Sequence, residues 1–187
     1  MSRPVYPTES RLILPDAVWL EPEQFAWSSR MSETARTEGK QWQSYLNALA
    51  LQGLEHWFRD RLPQAVIEPD TGYLESVGYL TVNGFRVCVI TTEHLLDEVV
   101  PIPCFVLDKA ELGAHFYVAI EVSEEQEELI IRGVLRPDQF PSDEWMRSVN
   151  EECYQFPLAW FDAELHHWLV YCRVSHLDRL ISTNSGQ

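Results

Sequence analysis

From Glu38 to Leu62 the chain reads EGKQWQSYLNALALQGLEHWFRDRL, and its apolar residues return every three or four positions. Trp42, Tyr45, Leu46, Leu49, Gly53, Leu54, Trp57 and Phe58 share one side, while Lys40, Gln43, Gln52, Glu55 and Arg59 take the other. A helix this long and this one-sided must lay its stripe on a core, so the spacing predicts that Trp42, Leu46, Leu49 and Trp57 are buried. Pro63 follows the last turn, where Arg59 and Arg61 suit the negative end of the helix dipole. Gly53 costs about 1 kcal/mol against Ala in mid-helix, which predicts the close approach of another backbone there.

The elements that could supply the core show a different period. Upstream, Arg11 to Leu14 is expected to be extended, followed by a short helix opening around Glu21 and Pro22, since proline is tolerated in a first turn. Downstream, GYLTVNGFRVCVITTE places Asn83-Gly84 between two β-rich runs, and that pair best tolerates the positive φ angles of a tight hairpin turn. A second hairpin is expected where HFYVAIEV and ELIIRGVL flank SEEQE. Pro101 and Pro103 fit an edge or connector better than a central strand.

The last third, from Ser142 with Asp143 and Glu144 in a first turn, has a helical pattern. Leu158, Phe161, Leu165, Trp168, Leu169 and Cys172 fall on one face, which assigns Cys172 to the core. The fold class expected is therefore α+β: an antiparallel sheet built from hairpins, packed by the long helix of the N-terminal half and by C-terminal helices. All 187 residues are expected to form a single domain, with residues 181–187, STNSGQ with its preceding Ile, frayed.

Charge decides what such a domain can meet. The net charge is −15, from 29 acidic and 14 basic residues. Residues 91–170 hold 17 of the acids and 4 of the bases, so the second half carries the negative field. Phosphate backbones and anionic lipid require clustered Lys and Arg, so neither direct nucleic-acid binding nor membrane attachment is expected. The cysteines Cys88, Cys104, Cys153 and Cys172 have no C-x-x-C spacing, and MSRPVYPTES does not resemble a signal peptide. A cytoplasmic location and four small buried hydrophobes are the expectation.

Catalytic signals are sparse. The chain has no G-x-G-x-x-G, no G-x-x-x-x-G-K-[ST] and no G-x-S-x-G. FDAELHHWLVYC, Phe161 to Cys172, gathers histidines and carboxylates, but on a helix only Asp162 and His166 share the i, i+4 geometry a metal can bridge. Pairing Cys104 with His94 or His115 has no motif behind it. No catalytic residue, metal site or cofactor is expected. The charged turn EVSEEQEEL lacks the spacing of an EF-hand. It reads either as a solvated tip that keeps the hairpin soluble or as a docking surface for a basic partner.

Three stretches together carry a resemblance: QWQSYLNALALQGLEHWF, VPIPCFVLDKAELGAHFYVAIEVSEEQEELIIRGVL and FPLAWFDAELHHW. Over residues 11–170 the chain resembles a cyanobacterial family filed as domain of unknown function 1822. Tyr45, Leu46, Asn47, Leu49 and Ala50 match its first element, Cys104, Tyr117, Val118, Gly133 and Leu135 the second, and Leu158, Trp160 and Trp168 the third. The resemblance implies no activity. It suggests regulation or defence only through gene neighbours such as caspase-like proteins, sensor proteins and sigma factors.

The function expected is a non-enzymatic interaction module, an adaptor or accessory subunit that docks on a basic surface of a larger protein. Glu121, Glu124, Glu125, Glu127 and Glu128 would form the contact, with exposed aromatic residues as anchors. The alternative is a metal-dependent enzyme using Asp162, His166 and an acid from the hairpin loop.

Overall fold

The computed structural model describes residues 16–93, 98–140 and 152–173. Arg11–Leu14, His94, the start of the expected C-terminal helix at Ser142 and the tail 181–187 lie outside the described residues. Strand β1 (Asp16–Trp19) leads into helix α1 (Pro22–Ser32) and the long helix α2 (Glu38–Arg61). Both helices start where their sequences say: Gln24 accepts from the Glu21 N–H at 2.7 Å with Pro22 in the first turn, and Thr37 accepts from the Lys40 N–H.

Strands β2 (Ile67–Asp70), β3 (Gly78–Val82) and β4 (Phe85–Thr92) form a meander, and the Asn83-Gly84 turn has positive φ at both residues, 51° and 83°. The chain then runs through β5 (Val99–Pro103) and the short helix α3 (Cys104–Asp108) to β6 (Phe116–Ser123) and β7 (Glu128–Leu135). Among the described residues the main sheet has six strands in the order β1-β7-β6-β4-β3-β2. Every pair is antiparallel except β4 with β6, which run parallel and join the two hairpins.

The period of two sorts the core onto two faces. Val87 and Val89 of β4, with Val118 and Ile120 of β6, face Leu49, Leu54, Trp57 and Phe58 of α2. Cys88 and Ile90, with Tyr117 and Ala119, face the other way, where Val100, Ile102, Val106 and Phe156 cover them. The sheet is thus buried on both sides. That second cover is a two-stranded ribbon of β5 and β8 (Cys153–Pro157), so Pro101 and Pro103 do lie outside the main sheet, on a short ribbon.

Here the helical pattern expected for the last third fails. Residues 153–157 are strand, Leu158–Trp160 is a single 3-10 turn, and helix α4 begins at 165 and is helical through 173. Pro157 has no N–H to donate and its ring clashes within a helix, whereas Tyr154 and Phe156 alternate toward the ribbon's core. On α4 the expected face is observed: Leu165, Trp168 and Cys172 are buried. Trp168 stacks on Trp57 with centroids 5.7 Å apart and meets Phe58 edge-on at 4.6 Å. Asn83 fastens the same helix by donating to the Cys172 carbonyl at 2.9 Å while accepting from the Val66 N–H at 2.9 Å.

On α2, Leu46, Leu49 and Trp57 are buried as the spacing predicts, but Trp42 is 41% exposed. It sits one turn into the helix, where it stacks on Tyr45 at 5.3 Å and donates to Glu93 at 2.9 Å. Gly53 does mark a close approach, though by side chains: a Cβ there would lie 2.7 Å from Leu129 Cδ1 and 3.2 Å from Leu20 Cδ2. Among the described residues no helix is long and apolar enough to cross a membrane.

Candidate functional site

Two places collect the polar side chains that the sequence singles out. The first is the β6–β7 hairpin. Ser123 pairs with Glu128, leaving Glu124–Glu127 as the turn, with Glu127 at a φ of 52°. Glu124, Glu125 and Glu127 are exposed and Glu128 is half-buried at the start of β7. Glu121 stands apart, down the strand, 3.5 Å from Arg132. Its charge is partly matched, so the acidic tip consists of the other four.

The hairpin tip is tied to both neighbouring elements. Tyr45 of α2 donates to Glu124 Oε1 at 2.7 Å, and the Leu20 N–H donates to the Glu127 carbonyl at 2.8 Å. Burial, and then the hydrogen bond to Glu124, hold the Tyr45 phenol well above its ordinary pKa, so it stays protonated as a donor. Each tie brings a large exposed aromatic with it. Trp42 stacks on Tyr45, and Trp19, 67% exposed, lies opposite Glu128 in the β1–β7 register.

The second place is the entry to α4. Asp162 and Val134 exchange backbone hydrogen bonds at 2.8 and 3.0 Å, which holds the segment against β7. Gly133 permits this contact, because a Cβ there would lie 2.8 Å from Phe161 Cβ. Asp162 Oδ1 accepts from the Glu164 N–H at 2.8 Å, an Asx turn that opens the helix. Asp162 is therefore not helical, and the expected Asp162–His166 pair does not form. Its other oxygen lies 3.2 Å from His167 Nδ1 instead, while His166 approaches Glu164 at 3.6 Å.

The hairpin acids do not reach this place. Val134 lies at the opposite end of β7 from Glu128, about 20 Å away at ~3.4 Å per residue. The ligand set imagined for the alternative enzyme, Asp162 with His166 and a hairpin acid, is not assembled. Glu164, which sequence spacing does not single out, is the acid that lies beside both: its ligand atom and those of His166 and His167 are all within 4.8 Å of one another. The signal for it was the Asp-x-Glu at a helix start, a turn-forming aspartate two residues before an acid.

The cysteines divide. Cys88 and Cys172 are buried and burial pushes each thiol up to about 12, which removes the reactive thiolate at neutral pH. Cys104 and Cys153 are only half-buried and line a cavity of about 700 Å³ between α2, α3 and the ribbon. His115 accepts from the Arg86 N–H at 3.0 Å through Nδ1, and His56 is an exposed partner of Asp60 at 3.5 Å.

A model of the family described as "Protein of unknown function (DUF1822)" matches residues 18–181. The chain belongs to DUF1822. The match takes in the acidic hairpin, both tryptophans beside it and the entry to α4, so each feature lies within the DUF1822 region. No curated protein and no solved structure matches the chain.

Proposed function

We propose that this DUF1822 protein is a non-enzymatic cytoplasmic interaction module, a regulatory or accessory subunit that docks on a basic surface of a larger protein. The observation that supports this reading is the joining of exposed aromatics to the acidic tip: Trp42 through Tyr45 to Glu124, and Trp19 opposite Glu128. Charge alone would serve solubility. Charge beside rigid, exposed tryptophan is the composition of a docking patch, because aromatics supply the buried area that sets affinity while complementary charge speeds encounter.

Pinning of the tip fits the same role. A turn held by Tyr45 and Leu20 gives up little conformational freedom on binding, so less of the contact energy is spent on ordering it. The partner's chemistry follows: a basic surface, Arg-rich for bidentate carboxylate contacts, with apolar depressions for two indole rings.

The test is affinity capture from native-host extract with three baits: wild type, Trp19→Ala, and the variant with Glu124, Glu125, Glu127 and Glu128 all changed to Gln. The reading expects one protein with a basic surface that wild type retains and both variants lose. A stable partner held equally by all three baits would place docking on another face.

A further inference from the structure

At the entry to α4, Glu164, His166 and His167 offer one ligand atom each, all within 4.8 Å of one another. Glu164 Oε2 is 3.6 Å from His166 Nε2 and 3.6 Å from His167 Nε2. That separation is too long for a hydrogen bond, but it is near the ~3.3 Å edge between two ligands bound at about 2.0–2.1 Å around a tetrahedral ion. Asp162 supplies the outer support. Its Oδ2 lies 3.2 Å from His167 Nδ1, within reach of an Nδ1–H, and with the proton on Nδ1 the Nε2 nitrogen is the one free to bind an ion.

We propose that Glu164, His166 and His167 form a binding site for a divalent first-row transition ion of the zinc, nickel or cobalt class, with Asp162 as the positioning residue for His167. Two imidazoles and one carboxylate select such ions over calcium or magnesium, which take oxygen ligands. Three protein ligands leave coordination positions open. Asp162, Glu164 and His167, though not His166, line a cavity of about 420 Å³ together with Arg136 and Tyr171, which gives an ion on that side room for water or an anionic ligand. All three side chains are exposed and reachable without opening the core. The net charge of −15 concentrates cations at the surface.

This site goes beyond the docking role and stands about 20 Å from the acidic tip along β7. It also differs from the Asp162–His166 bridge expected of a continuous helix: the Asx turn at Asp162 swaps His167 for His166 as its partner and brings in Glu164.

The experiment is calorimetric titration of the full chain, without a polyhistidine tag and stripped of metal, with zinc, nickel or cobalt chloride alone. One equivalent of zinc is expected, with cobalt giving the visible absorption of a low-coordinate site. Glu164→Gln and His167→Gln each weaken zinc by at least about tenfold, and Asp162→Asn by about 10–100-fold. Glu164→Gln and His167→Gln keep the wild-type melting temperature in the absence of metal, since those side chains are exposed, and Asp162→Asn keeps the side-chain oxygen that accepts from the Glu164 N–H. Changing Cys104 and Cys153 together to Ser leaves binding intact. No saturable binding of any of the three ions would overturn the site. So would zinc binding that survives His167→Gln and Glu164→Gln but is lost with the two cysteines.

Discussion

Tyr45 donates its hydroxyl to Glu124 at 2.7 Å across 79 positions of sequence, which binds the N-terminal third of the structure's long helix to the tip of its acidic hairpin. Tyr45→Phe removes that donor and little else. The change is expected to cost about 1 kcal/mol of stability and to speed hydrogen exchange at the amides of the tip. Unchanged exchange at Glu125 and Glu127 would show that Tyr45 does not hold the turn.

Leu49 is fully buried where α2 crosses the sheet, so Leu49→Ala is expected to destabilise by about 3 kcal/mol in urea unfolding. Trp42→Ala, at an exposed position, costs less. Equal losses at the two positions would contradict the burial that separates them.

Gly133→Ala forces a Cβ to within 2.8 Å of Phe161 Cβ and 3.2 Å of the Asp162 carbonyl. Backbone on one side and a packed aromatic on the other cannot retreat cheaply. A loss of about 1–3 kcal/mol is expected by denaturant melting, with faster proteolysis near Asp162.

Alkali should unfold the protein more readily than its net charge alone implies. Burial pushes the Cys88 and Cys172 thiols up to about 12, whereas unfolded thiols ionise near ~8.5. Between those values the unfolded chain loses protons that the folded chain keeps. The contribution is therefore complete below ~8.5 and is lost as pH rises toward about 12. Urea unfolding at about pH 8 and about pH 10 should show lower stability at the higher pH; a flat or rising profile would contradict the burial of both thiols.

Local chemistry was legible in the sequence: the stripe on α2, the Asn83-Gly84 turn, the second hairpin and the buried face of α4 with Cys172. Each depends on spacing within one element. What was hidden depends on partners far apart in the chain. The parallel pairing of β4 with β6 leaves no mark on either strand, and Trp42 looks like its buried neighbours until its indole is found bonded to Glu93, just past the end of β4. Strand β8 is hidden because the helical spacing runs on through Pro157, the residue that argues against a helix there. Helical spacing continued to Asp162 joins it to His166, whereas the Asx turn there aims it at His167.

The docking role is tested most directly by association kinetics with the captured basic partner, comparing wild type with the variant carrying Gln at 124, 125, 127 and 128. Wild type should associate markedly faster at low salt, and its advantage should shrink as added salt shortens the Debye length to ~8 Å and below. Equal association rates at low salt would contradict a docking role for the acidic tip.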